Sequence, residues 1–118
     1  LHALIDAVKT MGYKRIIIAF QPHTYTRTRA FLKDFASALS LADKVILADI
    51  YAAREKDPGD ISSADLAREL EKLGKEVHYL RSFDEIEKFI LKNLVNGDLL
   101  ITMGAGNIVE IGENLLNN

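Results

Sequence analysis

Apolar positions alternate between two periods along this chain. Leu1, Leu4, Ile5 and Val8 recur at helical spacing, and Gly12 stops that run. Arg15–Phe20 then reads Arg-Ile-Ile-Ile-Ala-Phe, a dense β-branched block of the kind found in strands buried on both faces. Polar residues fill 21–28, and Pro22 forbids a continuing central strand. A helical period returns from about Thr26 to Leu39, with Phe31, Phe35, Ala36 and Leu39 as its inner stripe. Lys44–Ile50 predicts a second buried strand, and 51–61 a loop turning at Pro58-Gly59-Asp60. Ser62 or Ser63 caps a helix that ends at Gly74, with Asp65 in its first turn. Glu76–Leu80 is a short strand. Ser82 and Glu85 have the spacing of a capping box opening a helix of about ten residues. Asn96-Gly97 marks a turn, Asp98–Met103 the last strand, and 107–116 a closing helix after Gly104-Ala105-Gly106.

Strands and helices joined in strict alternation by short loops predict a Rossmann-like three-layer α/β/α fold with a mainly parallel sheet. The expected strand order is 3-2-1-4, with the strands at 15–20 and 98–103 adjacent. Their outgoing chains diverge there, and ligands bind beyond the carboxyl ends of strands at such a switch point. The loops at 21–28 and 103–107 are therefore expected to face one site, with 50–60 as its neighbouring wall.

Composition narrows the class. The 118 residues suit one domain, spanning 1–118, and can bury a core without staples. Hydrophobic residues make up 48% and charged residues 27%, an ordinary globular balance. The formal charge of −2 lacks the basic excess of a nucleic-acid binder. No apolar run approaches the roughly 20 residues that span a bilayer, and no signal peptide is visible. The chain opens at Leu1, without an initiator methionine and already inside a helical pattern, which reads as a boundary within a longer protein. Absence of cysteine excludes disulfides and thiolate chemistry.

Chemistry concentrates in the first loop. His23, Thr24, Tyr25, Thr26, Arg27, Thr28 and Arg29 bring together an imidazole, a phenol, hydroxyls and guanidiniums. Arg27 lies near a helix N-terminus, where the dipole disfavours a cation by about 0.3–1 kcal/mol. A cation held against that preference suggests an anionic partner, which free backbone N–H groups at the helix start would also attract. The plainer reading is solvated arginines and a histidine capping a turn. Gly104 and Gly106 let a ligand approach the backbone, or simply form a tight turn. The dinucleotide fingerprint fails because Val109 holds its sixth position. The third loop carries Asp49, Tyr51, Arg54 and Glu55; Asp49 ends an apolar strand, where an acid serves either a ligand or a loop brace. His2 and His78 stand alone, without metal-ligand spacing. No Gly-x-Ser-x-Gly, His-Glu-x-x-His or P-loop pattern occurs.

The segment Phe20-Gln21-Pro22-His23-Thr24-Tyr25-Thr26-Arg27-Thr28 closely resembles the start of the C-terminal domain of the Mur ligase family, in the branch that joins L-alanine to UDP-N-acetylmuramate. Asp49-Ile50-Tyr51-Ala52-Ala53-Arg54-Glu55 and Met103-Gly104-Ala105-Gly106-Asn107-Ile108 resemble two later segments of that domain, in order and at suitable spacing. The resemblance spans nearly the whole chain. It implies a cytoplasmic enzyme of peptidoglycan synthesis that uses ATP and Mg²⁺ to convert the muramate carboxylate into an acyl phosphate, which the amine of L-alanine attacks. It implies that His23 and Arg27 contact the amino acid. It also places Tyr25, Asp49, Tyr51, Gly104 and Gly106 in segments that line the site. Thr24 stands where the family usually has arginine, leaving one cation fewer but a hydroxyl able to donate one hydrogen bond. The UDP-sugar domain and the ATP-binding domain lie outside these residues, so this domain alone is expected to catalyse nothing, to bind no cofactor, and to partner the two others. The alternatives are the murein-tripeptide recycling ligase, which shares the scaffold, and a stand-alone small-anion or nucleotide-binding module. A phosphoacceptor receiver would need paired acids where this chain has Gln21-Pro22-His23.

Overall fold

Each apolar block becomes a parallel strand in a computed structural model that describes residues 14–95 and 97–104. The described elements are β1 (Arg15–Gln21), α1 (Tyr25–Ala30), α2 (Leu32–Leu39), β2 (Lys44–Leu47), α3 (Ser63–Lys72), β3 (Glu76–Tyr79), α4 (Phe83–Asn93) and β4 (Asp98–Gly104). The sheet order is β3-β2-β1-β4, the expected 3-2-1-4. The helices expected over 1–11 and 107–116 lie outside the described residues.

Helices cover both faces of the sheet. On one, Ile16, Ile18, Phe20, Val45 and Leu47 pack against Ala36 and Leu39 of α2 and Leu66 and Leu70 of α3. On the other, Ile17, Ala19, Ile46 and Ala48 pack against Ile86 and Ile90 of α4. Successive residues of β1 thus point to opposite cores, which is why the strand is apolar at every position from Ile16 to Phe20 rather than at alternate ones. Ile17, Ile18, Leu39, Ile46, Leu47, Leu66, Leu70, Ile86 and Ile90 are fully buried, each contributing about 1.5–3 kcal/mol of apolar transfer.

The capping chemistry holds, with one half unseen. Ser62 and Asp65 form a reciprocal capping box on α3. Ser82 accepts from the Glu85 N–H at the start of α4. Gly74 ends α3's turn with φ at 77°. The run from Thr26 to Leu39, however, is two helices rather than one. Phe31 breaks it with φ −115° and ψ 22°, and the break resets the helical phase. Phe31 therefore leaves the inner stripe and is 49% exposed, its ring edge-on to that of Phe35 at 6.3 Å. Leu32, Phe35, Ala36 and Leu39 carry the inner face instead. β2 likewise stops at Leu47, short of the expected Ile50, as the chain swings into its loop. His78 has a structural setting, its ring 4.4 Å from that of Phe89 and its Nε2 3.0 Å from Glu76.

Ion pairs pin the amino end of the sheet. The registered partners Arg15 and Asp98 are joined by a two-pronged pair at 2.9 and 2.7 Å, and Lys44 meets Glu76 at 3.0 Å. The Arg15 guanidinium, with burial opposing it, holds the Asp98 carboxyl at about 2. A depressed folded value means that this stability is fully present above about pH 4 and is lost as pH falls towards 2. Its size is about 1–2 kcal/mol after allowance for solvent at Arg15. Urea midpoints measured from pH 6 to pH 2.5 should fall less steeply in Asp98→Asn than in the parent. Parallel curves would remove the pair from the stability of the sheet.

Candidate functional site at the carboxyl ends of the strands

Beyond β1 and β2 the chain continues as two loops joined edge to edge. The N–H of Tyr51 donates to the Pro22 carbonyl and the N–H of Thr24 to the Tyr51 carbonyl, both at 2.8 Å. His23 and Tyr51 thereby form an isolated parallel bridge, with rings stacked at 5.6 Å and 25°. Pro22, lacking an N–H, can enter this pairing only as an acceptor. Gln21 is buried below it. Its Nε2 donates to the Asp49 carbonyl at 3.2 Å, while its Oε1 has no hydrogen-bond partner among the described residues. The expected first loop and neighbouring wall are one unit.

Thr24 adopts φ 65° and ψ 148°, a region costly for a residue with a side chain and concentrated at functional loops. This conformation lets it serve as the N-cap of α1. Its hydroxyl accepts from the Arg27 N–H at 3.2 Å, and its carbonyl accepts from the N–H and hydroxyl of Thr28. The next two N–H groups go to Glu55. One of its oxygens accepts from Tyr25 at 2.6 Å and Thr26 at 3.1 Å, and the other accepts the Thr26 hydroxyl at 2.5 Å. These bonds, the Thr26 hydroxyl foremost, hold the Glu55 carboxyl below the ordinary carboxylate range. The expectation of free N–H groups at this helix start is thus corrected, because an anion from the chain itself already occupies them.

The guanidiniums of the first loop divide. Arg29 pairs with Asp60. Arg27 is exposed, and its side chain has no partner among the described residues. Tyr25 and Asp49 turn into an adjoining cleft of about 320 Å³, lined also by Asp57, Ser62, Tyr79 and Arg81. Asp49 accepts the Tyr79 hydroxyl, so it braces the wall of this cleft. Burial first, then the Asp49 bond, raises the Tyr79 phenol. Burial, followed by the charges of Asp57, Asp49 and Glu55, raises that of Tyr25.

Gly104 lies beside Gln21 in the β1–β4 register. Its φ is 128°, and a Cβ there would collide with the Gln21 backbone. Gly106 lies outside the described residues. Among the described residues no three His, Asp or Glu side chains converge as a metal set, and no helix is long and apolar enough to cross a membrane.

Of the predicted positions, His23 and Tyr51 are brought into contact, Tyr25 and Asp49 share the cleft, and Thr24 and Arg27 share the first turn of α1. Glu55 was expected only as one of the polar groups of the loop after the second strand, not as the acceptor at the start of α1, and Gln21 was not expected in the site. A signal for Glu55 existed, since α1 has no acid of its own in its first turn and a loop acid follows the next strand.

The family model for "Mur ligase, glutamate ligase domain" matches residues 1–106. The UDP-N-acetylmuramate–L-alanine ligase of Lachnoclostridium phytofermentans is 60% identical over 116 residues, covering 98% of this chain. That of Agathobacter rectalis is 58% identical over the same length. This chain spans only 25% of either relative. Among solved structures, the UDP-N-acetylmuramate–alanine ligase of Thermotoga maritima superposes with a TM-score of 0.72 at 25% identity, over 97% of this chain and 22% of that one.

Proposed function

Because the chain belongs to the Mur ligase family through its glutamate ligase domain, we propose that it is the amino-acid-positioning domain of a cytoplasmic ligase of peptidoglycan synthesis, one that joins L-alanine to UDP-N-acetylmuramate. The observation that carries this reading is the Arg27 guanidinium, without a partner among the described residues, one turn from His23 on a loop where the N–H groups of Thr24, Tyr25, Thr26, Arg27 and Thr28 are all taken. A fork of N–H donors suits the carboxylate of an amino acid. The relatives at 60% and 58% identity support L-alanine as that amino acid and disfavour the tripeptide-recycling and stand-alone readings.

Within this domain the work is orientation. Arg27 takes the carboxylate, His23 stacked on Tyr51 flanks it, and the amine is turned towards the acyl phosphate presented by the rest of the enzyme. Holding the two reactants together can contribute several kcal/mol to the rate. ATP supplies the phosphoryl group that activates the muramate carboxylate. The described residues do not fit a triphosphate, because Glu55 and Thr24 occupy the N–H groups of α1 that would cradle one. ATP and Mg²⁺ are accordingly assigned to the enzyme's other domains, which are this domain's partners.

Phosphate release by the whole ligase tests the reading. With ATP, Mg²⁺ and UDP-N-acetylmuramate supplied, release should depend on L-alanine, be weaker with glycine and L-serine, and fall to background without an amino acid. The 118 residues alone should release none. Release indifferent to every free amino acid would overturn the assignment.

A further inference from the structure

Nothing in the reaction assigned above uses Glu55, yet it is the acid most heavily engaged at this end of the molecule. It reaches across 29 to 30 residues of sequence to take the N–H groups of Tyr25 and Thr26 and the Thr26 hydroxyl. Its own loop aims it there. Ala53 adopts φ 57°, and the Glu55 N–H closes a turn onto the Ala52 carbonyl at 3.0 Å. A left-handed alanine is unfavourable, so this turn persists only because its surroundings hold it.

The consequence falls on Arg27. α1 has six residues, too few to sustain a helix unaided. Its first turn depends on outside acceptors, and Glu55 and Thr24 provide them. That turn carries Arg27, whose backbone N–H is tied to Thr24. Glu55 places a negative charge on the positive end of the helix dipole. Because its oxygens are committed to Tyr25 and Thr26, it does so without pairing with Arg27. The cation is left without a partner among the described residues.

We propose that Glu55 is a positioning residue of the ligase, presetting the first turn of α1 so that Arg27 meets the amino-acid carboxylate. This rests on the assignment of the site to amino-acid binding. It predicts a selective defect. Glutamine preserves the pattern, since its carbonyl can accept both N–H groups and its amide can donate to the Thr26 hydroxyl. Alanine abolishes it.

The test uses the whole ligase, with steady-state kinetics for all three substrates and a thermal melt for each variant. Glu55→Ala should raise KM for L-alanine by roughly tenfold or more, the scale of a lost charged hydrogen bond. KM for ATP and for UDP-N-acetylmuramate should stay within about twofold of the parent's. Glu55→Gln should return KM for L-alanine to within about threefold. A purely structural role predicts a different pattern, in which kcat and melting temperature fall together while all KM values hold, and that pattern overturns the proposal. Should Glu55→Ala not fold, Glu55→Gln decides. A stable glutamine variant whose KM for L-alanine rises tenfold or more sinks the hydrogen-bond account, and one near the parent's supports it. An unmutated ligase indifferent to L-alanine would refute the functional assignment itself, and the Glu55 proposal with it. L-alanine dependence with an unmoved KM in Glu55→Ala would refute the Glu55 proposal alone.

Discussion

Arg27→Ala is expected to raise KM for L-alanine by about 10- to 100-fold in the whole ligase, as hydrogen bonds to a charged group are worth about 1.5–3 kcal/mol. The size follows from the state of the side chain before ligand arrives. Arg27 is exposed and has no protein partner among the described residues, so alanine breaks no fold-stabilising contact and should leave the melting temperature within about 2 °C. Arg27→Lys separates charge from shape. It keeps the cation but loses the planar fork, and an intermediate KM is expected. The neighbouring Arg29 is the internal control. It is already paired with Asp60, and Arg29→Ala should alter KM for L-alanine by less than about threefold, since exposed ion pairs contribute little. An Arg27→Ala enzyme with the parent's KM would show that the free guanidinium does not read the substrate.

How far the chain could be read in advance depended on the kind of force involved. Ile16, Ile17 and Ile18 leave a strand no solvent face, so a parallel sheet covered on both sides was legible, as were its strand order and a serine cap at 62 or 63. The break at Phe31 was not. No glycine or proline marks it, and a periodicity argument extends a helix through any residue that fits its phase. What interrupts the phase is tertiary, because the first turn of α1 is tethered by Thr24 and Glu55 while α2 packs against the sheet and α3. The first loop was legible as a candidate site because polar groups of several kinds cluster there. The division of labour inside it was hidden. A guanidinium near a helix start implies an anion, but sequence alone does not say whether that anion is a ligand or Glu55. The structure answers for the backbone, where the anion is Glu55. Glu55 serves the backbone N–H groups, and the side chain of Arg27 has no partner among the described residues. The long reach from residue 55 to residues 25 and 26 exists only once β1 and β2 lie side by side.

That juxtaposition is also what Gly104→Ala would disturb. Gly104 ends β4 opposite Gln21, the last residue of β1, and an added Cβ meets the carbonyl oxygen, nitrogen and carbonyl carbon of the Gln21 backbone. A backbone cannot rotate aside as a flexible side chain does, so either β1 or β4 must shift. Backbone strain at φ 128° adds to the collision. Together they should destabilise the domain by about 2–4 kcal/mol, lowering its melting temperature by about 10 °C or more. Gly59→Ala isolates the backbone component. Gly59 also has a positive φ, 77°, but a Cβ there would meet nothing within 4 Å, and its cost should be about 1 kcal/mol. The functional effect should follow the structural one. Gln21 supports Asp49 from below and leads directly into Pro22 and His23, so a displaced β1 end moves the platform on which Arg27 is aimed. Even the folded fraction of Gly104→Ala, measured below its transition, should therefore show a raised KM for L-alanine, whereas Gly59→Ala should not. If the two variants melt alike and bind alike, the close approach of β4 to Gln21 carries neither the stability nor the aim of the site.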